Sequence, residues 1–291
     1  MDEHHHDPLE RPSELAGKQV LTQEERAQRD AAAGRDYTPR AGDPGAYNQF
    51  WTESGKASAQ TSLIVDPQDG KLPALTAEAK KYADALEALR RPERPASWDE
   101  LNPYDRCITR GLPGAMMPGF YNHNYLIVQT PTHVAIVVEM IHDIRIIPID
   151  GRPHLGPGIR QWMGNSRGRW EGQTLVVETT GFTPKMREFT GNAQRLLNGD
   201  RVGTYQASFG TPTLTLVERF TRVDADTIDY RFTVTDPATF IRPWTAATPM
   251  MRVTEPIFEY ACHEGNHAVP NMLSAARAQE RADAQKNSRP Q

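Results

Sequence analysis

The sequence predicts a mainly β fold: an antiparallel lipocalin-like barrel or curved sandwich, with an extended N-terminal arm and a C-terminal helix. Two observations carry this. Between Tyr121 and Tyr260, apolar and polar residues alternate with period two, β-branched residues are frequent, and turn residues punctuate the pattern at short intervals. Helical patterns do not alternate with the strand patterns, which disfavours a doubly wound α/β fold. Roughly eight to ten strands joined mainly by hairpins suit an antiparallel sheet closed on itself, and a barrel of about eight strands can hold one small ligand in its mouth.

Residues 1–60 read as an arm packed on the body. Leu21 to Arg26 is a short helix with Thr22 as cap and Glu25 three residues on, the spacing of a capping box. Ala46 to Trp51 carries three aromatics that should dock on the body. Residues 61–291 read as a single β-barrel-like domain with helices at about 76–90 and 270–284. Thr61 to Val65 is a short strand, followed by the turn Asp66 to Lys71. Thr76 to Arg90 is a helix ended by Pro92 and Pro95. Tyr125 to Thr130 and His133 to Ile141 form a hairpin, and Arg145 to Ile149 continues as a strand. Gly168 to Glu171 and Thr174 to Thr180 flank the turn Gly172-Gln173. Thr213 to Val223 and Thr227 to Thr235 are the clearest hairpin, Arg252 to Tyr260 is the last strand, and Pro270 opens the final helix at its first position.

Bulk properties exclude several classes. The chain has 291 residues, a net charge of -4 and no like-charge block, so nucleic acid is not an expected partner. No stretch approaches the roughly 20 apolar residues of a membrane span. The start, Met1 to His6, shows no signal peptide; a processed chain would look the same. His4 to His6 are set aside from site reasoning. Cys107 and Cys262 either form one disulfide, closing a long loop and stabilising by up to roughly 5 kcal/mol, or stand as two separate buried thiols.

Four segments are denser in polar groups than strands require. Tyr121, Asn122, His123 and Asn124 enter a strand as a surface turn or as donors over a pocket. In Glu139 to Arg145, alternation places Glu139, Ile141, Asp143 and Arg145 on one face and Met140, His142 and Ile144 on the other, unless a bulge intervenes. Buried unpaired charges are costly, so these must pair with one another or line a wet cavity, as a structural ion network or as acid–base chemistry. Asp150-Gly151-Arg152-Pro153-His154 is a turn, and the Arg160, Trp162, Arg167, Arg169 and Trp170 that follow could clamp an anionic or aromatic ligand or stack as a surface ladder.

His263-Glu264-Gly265-Asn266-His267 matches H-E-x-x-H, but a strand enters it, Gly265 and Asn266 are weak helix formers, and Pro270 marks a later helix start. A zinc-protease use is therefore not expected, and no resident metal is assigned. His142, His154 and His263 could still gather around a metal from distant strands. No G-x-S-x-G, P-loop or G-x-G-x-x-G occurs, so no nucleotide cofactor is expected.

The strings Thr61 to Pro67, Glu139 to Arg145, Asp150 to His154, Gly168 to Gly172 and Tyr260 to Asn266 resemble a largely uncharacterised family of exported bacterial proteins, over nearly the whole chain from about Leu9. The resemblance implies a periplasmic or secreted, processed chain and a Cys107–Cys262 bridge. It extends to enzymes that process aromatic dimers in lignin catabolism without a nucleotide cofactor.

The leading expectation is a cofactor-independent lyase or isomerase for a small aromatic or carboxylated substrate. His142 or His263 would be the acid–base group, Asp143 and Glu264 would tune them, and Arg145 and Arg167 would hold an anion or oxyanion. Tyr121, Asn122, Asn124 and Trp244 would line the mouth and His154 would contact substrate, a core role being the alternative for Trp244. The alternatives are a periplasmic binding protein without catalysis and a metal-dependent hydrolase using His142, His154 and His263. A binding protein would have an apolar cavity with few titratable groups; an enzyme would bring His and carboxylates within hydrogen-bond reach. Oligomers are possible.

Overall fold

A computed structural model describes residues 7–33, 56–89, 95–101, 103–119, 122–185 and 211–288. Nine strands among them form two antiparallel sheets. β1 (Ile64–Asp66), β5 (Asn165–Glu171), β6 (Thr174–Thr180), β7 (Thr215–Arg222), β8 (Thr227–Thr235) and β9 (Trp244–Met251) make a six-stranded sheet in the order β1-β9-β8-β7-β6-β5. β2 (Tyr125–Gln129), β3 (His133–Val138) and β4 (Ile144–Pro148) make a three-stranded one.

The mainly β reading holds, but no closed barrel is seen among the described residues; the arrangement is compatible with a curved sandwich. The seam lies between β4 and β5, which share no ladder. The chain from Ile149 to Asn165 is a long Gly- and Pro-bearing connection, so no tight turn sets a register there. At one end the seam is tight: a Cβ on Gly168 would lie 2.7 Å from Ile149 Cγ2 and 3.0 Å from Ile147 Cγ2. Only glycine admits β4 this close to β5. At the other end the strands part around a cleft of about 300 Å³ lined by Ile144, Arg145, Met163 and Ser166.

The inward faces follow from alternation. On β7, Leu216, Glu218 and Phe220 are buried, and on β8 so are Tyr230, Phe232 and Val234. Phe220 stacks on Tyr230 at 4.8 Å between centroids, and the aromatic file continues through Phe232 to Trp244. Trp244, expected at the mouth, is fully buried in this core.

Into that core Arg145 of β4 reaches across the gap. Its Nη1 donates to Glu218 Oε1 at 2.9 Å, its Nη2 donates to Glu218 Oε2, and the Tyr230 hydroxyl donates to Glu218 Oε1 at 2.9 Å. Both charged side chains are buried. Burial opposes the Arg145 charge, and the Glu218 carboxylate more than offsets it, holding the guanidinium above its usual pKa. A fork-to-fork pair of this kind fixes both the separation and the lateral position of the two sheets.

The arm supports the far edge. α1 (Gln23–Ala33) opens with the expected capping box: Glu25 N donates to Thr22 Oγ1 and Thr22 N to Glu25 Oε2. Lys18, then Thr22, hold Glu25 down at about 2. Buried Arg11 donates to Thr61 Oγ1 and to the Gln68 carbonyl, tying residues 7–11 beside β1. The aromatic cluster Ala46 to Trp51 lies outside the described residues.

α2 (Ala77–Leu89) and α3 (Ala268–Asn287) match the two expected helices within a few residues, except that Pro270 sits third in α3. Pro is tolerated there because first-turn amides need no helical partner. The expected strand Arg252 to Tyr260 is irregular; β9 is the earlier segment Trp244–Met251. Pro249 is compatible with it because β1 pairs only with Thr245 and Ala246, leaving an edge beyond.

Removing one partner of a buried pair strands the other charge and costs about 3–5 kcal/mol, whereas an apolar replacement of both is far milder. Glu218→Gln is therefore expected to lower the unfolding free energy in urea by about that amount, and Arg145→Met/Glu218→Leu to recover most of it. A double variant no better than the single one would remove the ion pair from this role.

Candidate functional site

The two sheets diverge toward the turns after β2, β5 and β7, and an apolar cleft of about 470 Å³ opens between them. Its walls are inward residues: Ile127 and Ile136 from the small sheet, Leu175, Phe220 and Ile228 from the large one. Trp170, with 46% of its surface exposed, stands at the rim with Gln129, Gln173 and Arg222. Among the described residues, Arg222 is the one titratable group in the lining. It is held by donating Nε to the Asp224 carbonyl at 3.0 Å and Nη2 to the Ala225 carbonyl at 3.2 Å, in the β7–β8 turn. Deeper along the same inward files come Glu218 and Tyr230, so the ion pair lies beyond the inner end of the cleft.

The opposite end of the small sheet is polar. β3 stops at Val138, and Met140–His142 form a 3-10 turn in which Ile141 has φ 60° and His142 φ 47°. The expected strand alternation through Glu139 to Arg145 is therefore wrong, and these charges do not share a face. Glu139 is buried and accepts from Asn124 Nδ2 at 2.7 Å and from the Phe258 amide at 2.9 Å. Asp143 accepts from the Thr109 hydroxyl at 2.7 Å. Burial raises its pKa above the ordinary carboxylate value, against the Thr109 hydroxyl and the Arg110 amide. Arg145 turns to Glu218 instead.

His142 is exposed, with Nδ1 2.9 Å from the Tyr260 carbonyl, and the His263 ring lies 6.3 Å away at 53°. Cys107 and Cys262 stand at disulfide distance, Cα–Cα 5.7 Å, and set His263 beside the turn. The structure thus brings His142 and His263 together.

It does not bring the other expected residues to them. His154 lies against the outer face of the large sheet, contacting Glu178 Oε1 at 3.1 Å and Asn165 Oδ1 at 3.2 Å. Arg167 donates to the Pro153 and Ser166 carbonyls and braces that loop. Asn122 sits at φ 54°, Glu264 is exposed, and Tyr121 lies outside the described residues. Among the described residues no three His, Cys, Asp or Glu side chains cluster as a metal site. His263 and His267 precede α3, so they do not share the helical face that H-E-x-x-H chemistry needs.

Sequence reasoning missed the cleft. The sequence offers Trp170 as part of a ligand clamp or a surface stack, but marks none of Phe220, Arg222 and Ile228 as ligand contacts. Glu218 had a signal: a carboxylate on the inward register of β7, between Leu216 and Phe220. Comparisons with protein-family models, curated proteins and solved structures return no match.

A carboxyl raised in the folded state binds its proton more tightly there than when unfolded. Below the unfolded value it makes no difference; as pH rises from the ordinary carboxylate range through the raised value, the folded state loses stability. Wild type is expected to lose unfolding temperature relative to Asp143→Asn across that interval. A temperature difference flat with pH would contradict it.

Proposed function

We propose that this protein binds a small, mostly apolar molecule in the cleft between its sheets and performs no chemistry on it. The lining carries the proposal: aliphatic and aromatic walls, two glutamines, and, among the described residues, Arg222 as the single titratable group. Ligand sites are concave, about 300–1,000 Å³, largely apolar, and oriented by a few polar groups. A ligand with one acceptor or anionic group would set that group at Arg222 and its apolar body against Phe220 and Ile228. A periplasmic or secreted location fits the cysteine pair, because disulfides persist in oxidising compartments. No helix among the described residues is long and apolar enough to cross a membrane.

Tryptophan fluorescence tests this with two probes, neutral N-phenyl-1-naphthylamine and its anionic relative anilinonaphthalene sulfonate. Both are expected to bind and quench Trp170. Ile228→Glu should weaken both by tenfold or more, about 1.4 kcal/mol, and Arg222→Ala should weaken only the anionic probe. Binding indifferent to Ile228→Glu would contradict a site in the cleft.

One observation favours a second reading, proton transfer by His142 beside His263 on an aromatic or carboxylated substrate, as in the lyase or isomerase expected above. Two consecutive non-glycine residues in the left-handed region, one of them β-branched, cost of order 1–3 kcal/mol each and cluster at functional sites. If that strain serves His142, His142→Asn, which tolerates this backbone, should keep or raise the unfolding temperature while abolishing turnover of a substrate found by screening. A large loss of stability with turnover retained would make the turn purely structural.

A further inference from the structure

We infer that the outer face of the three-stranded sheet is a self-association surface on which two copies of this chain stack. An antiparallel sheet with one face on the core ordinarily presents polar residues on the other. This sheet does not. The outward residues of the three strands align in two cross-strand rows, Leu126-Val137-Ile144 and Val128-Ala135-Ile146. Every member is aliphatic and none is charged. Leu126, Val128, Ile144 and Ile146 expose 50, 45, 60 and 58% of their surface. Exposed apolar residues gathered in one contiguous patch, unlike singly scattered ones, mark an interaction site.

Charge selects the partner. The outer face of the six-stranded sheet carries Arg169, Glu171, Arg219 and Arg231, paired with one another or with Asp229. Stacking the uncharged face on that one would bury those ions, which is costly. The small sheet's own face sets no charge against it, since both rows are aliphatic and neutral. Stacking like on like is isologous and closes at two copies, with the sheets about 10 Å apart. Six residues a copy are far fewer than the roughly 20–30 a side of a standard stable interface, so the dimer is expected to be weak and concentration-dependent. The cleft opens between the sheets, so this face and the proposed ligand site are separate, and either can fail alone.

Sedimentation velocity on the full chain from micromolar to near-millimolar concentration tests this. The weight-average mass is expected to climb from monomer toward dimer and not beyond. Ile144→Thr/Ile146→Thr keeps β-branched residues and should stay monomeric throughout with circular dichroism unchanged; should it misfold, Val128→Thr/Val137→Thr probes the same rows from β2 and β3. A wild-type chain that stays monomeric at every concentration overturns the inference, whether or not phosphatidylcholine vesicles pull it down. So does a dimer that both folded variants retain, or growth past two copies.

Discussion

The pair Arg145–Glu218, with the Tyr230 hydroxyl on the same carboxylate, is the constraint on which the rest of this architecture depends. It joins β4 to β7 across a gap that no backbone ladder bridges, since β4 and β5 are not hydrogen-bonded. Apolar packing alone would let the two sheets slide and close. Two parallel hydrogen bonds between planar groups do not. Mutual attraction and the Tyr230 hydroxyl offset part of the cost of dehydrating both ions, while Arg145 Nε is buried without a hydrogen-bond partner among the described residues. Because the bond sits beyond the inner end of the cleft, it holds the walls apart where a ligand would enter, toward Phe220, Ile228 and Trp170.

This arrangement separates two kinds of chemistry. The turn end of the sandwich is apolar with one rim cation. The opposite end gathers polar groups: Glu139 held by Asn124 and the Phe258 amide, Asp143 held by Thr109, and the exposed His142 and His263. Glu139 and Asp143 are engaged in structural bonds, so what faces solvent there is the two imidazoles and Glu264. Most charged groups that interrupt the strand patterns are therefore part of the scaffold, and the hollow they were expected to line is instead lined by aliphatic and aromatic side chains.

Much of the fold was legible because burial imposes period two. β2, β3, β4, β6, β7 and β8 fall where alternation and turn residues place them. The failures have local causes. Alternation cannot foresee a left-handed turn at Ile141 and His142, so carrying the strand faces through Glu139 to Arg145 puts together charges that the turn separates. β9 was missed because Ala246, Ala247 and Pro249 carry weak strand propensity, and pairing with β8 supplies what those residues lack. Closure was misjudged because no residue pattern announces that the Ile149–Asn165 connection leaves a seam. Of the site, the meeting of His142 and His263 was legible from unusual residues in strand-like surroundings. The cleft was not, because its walls are ordinary core residues whose only distinction is the space between them.

Methyl-resolved NMR during titration with N-phenyl-1-naphthylamine tests the central claim most directly. The methyl signals of Ile127, Ile136, Leu175 and Ile228 should shift together and saturate with one affinity, while those of Ile141 and Ile257, flanking the polar end, stay still. Shifts centred on Ile141 and Ile257, with the cleft methyls silent, would contradict the account.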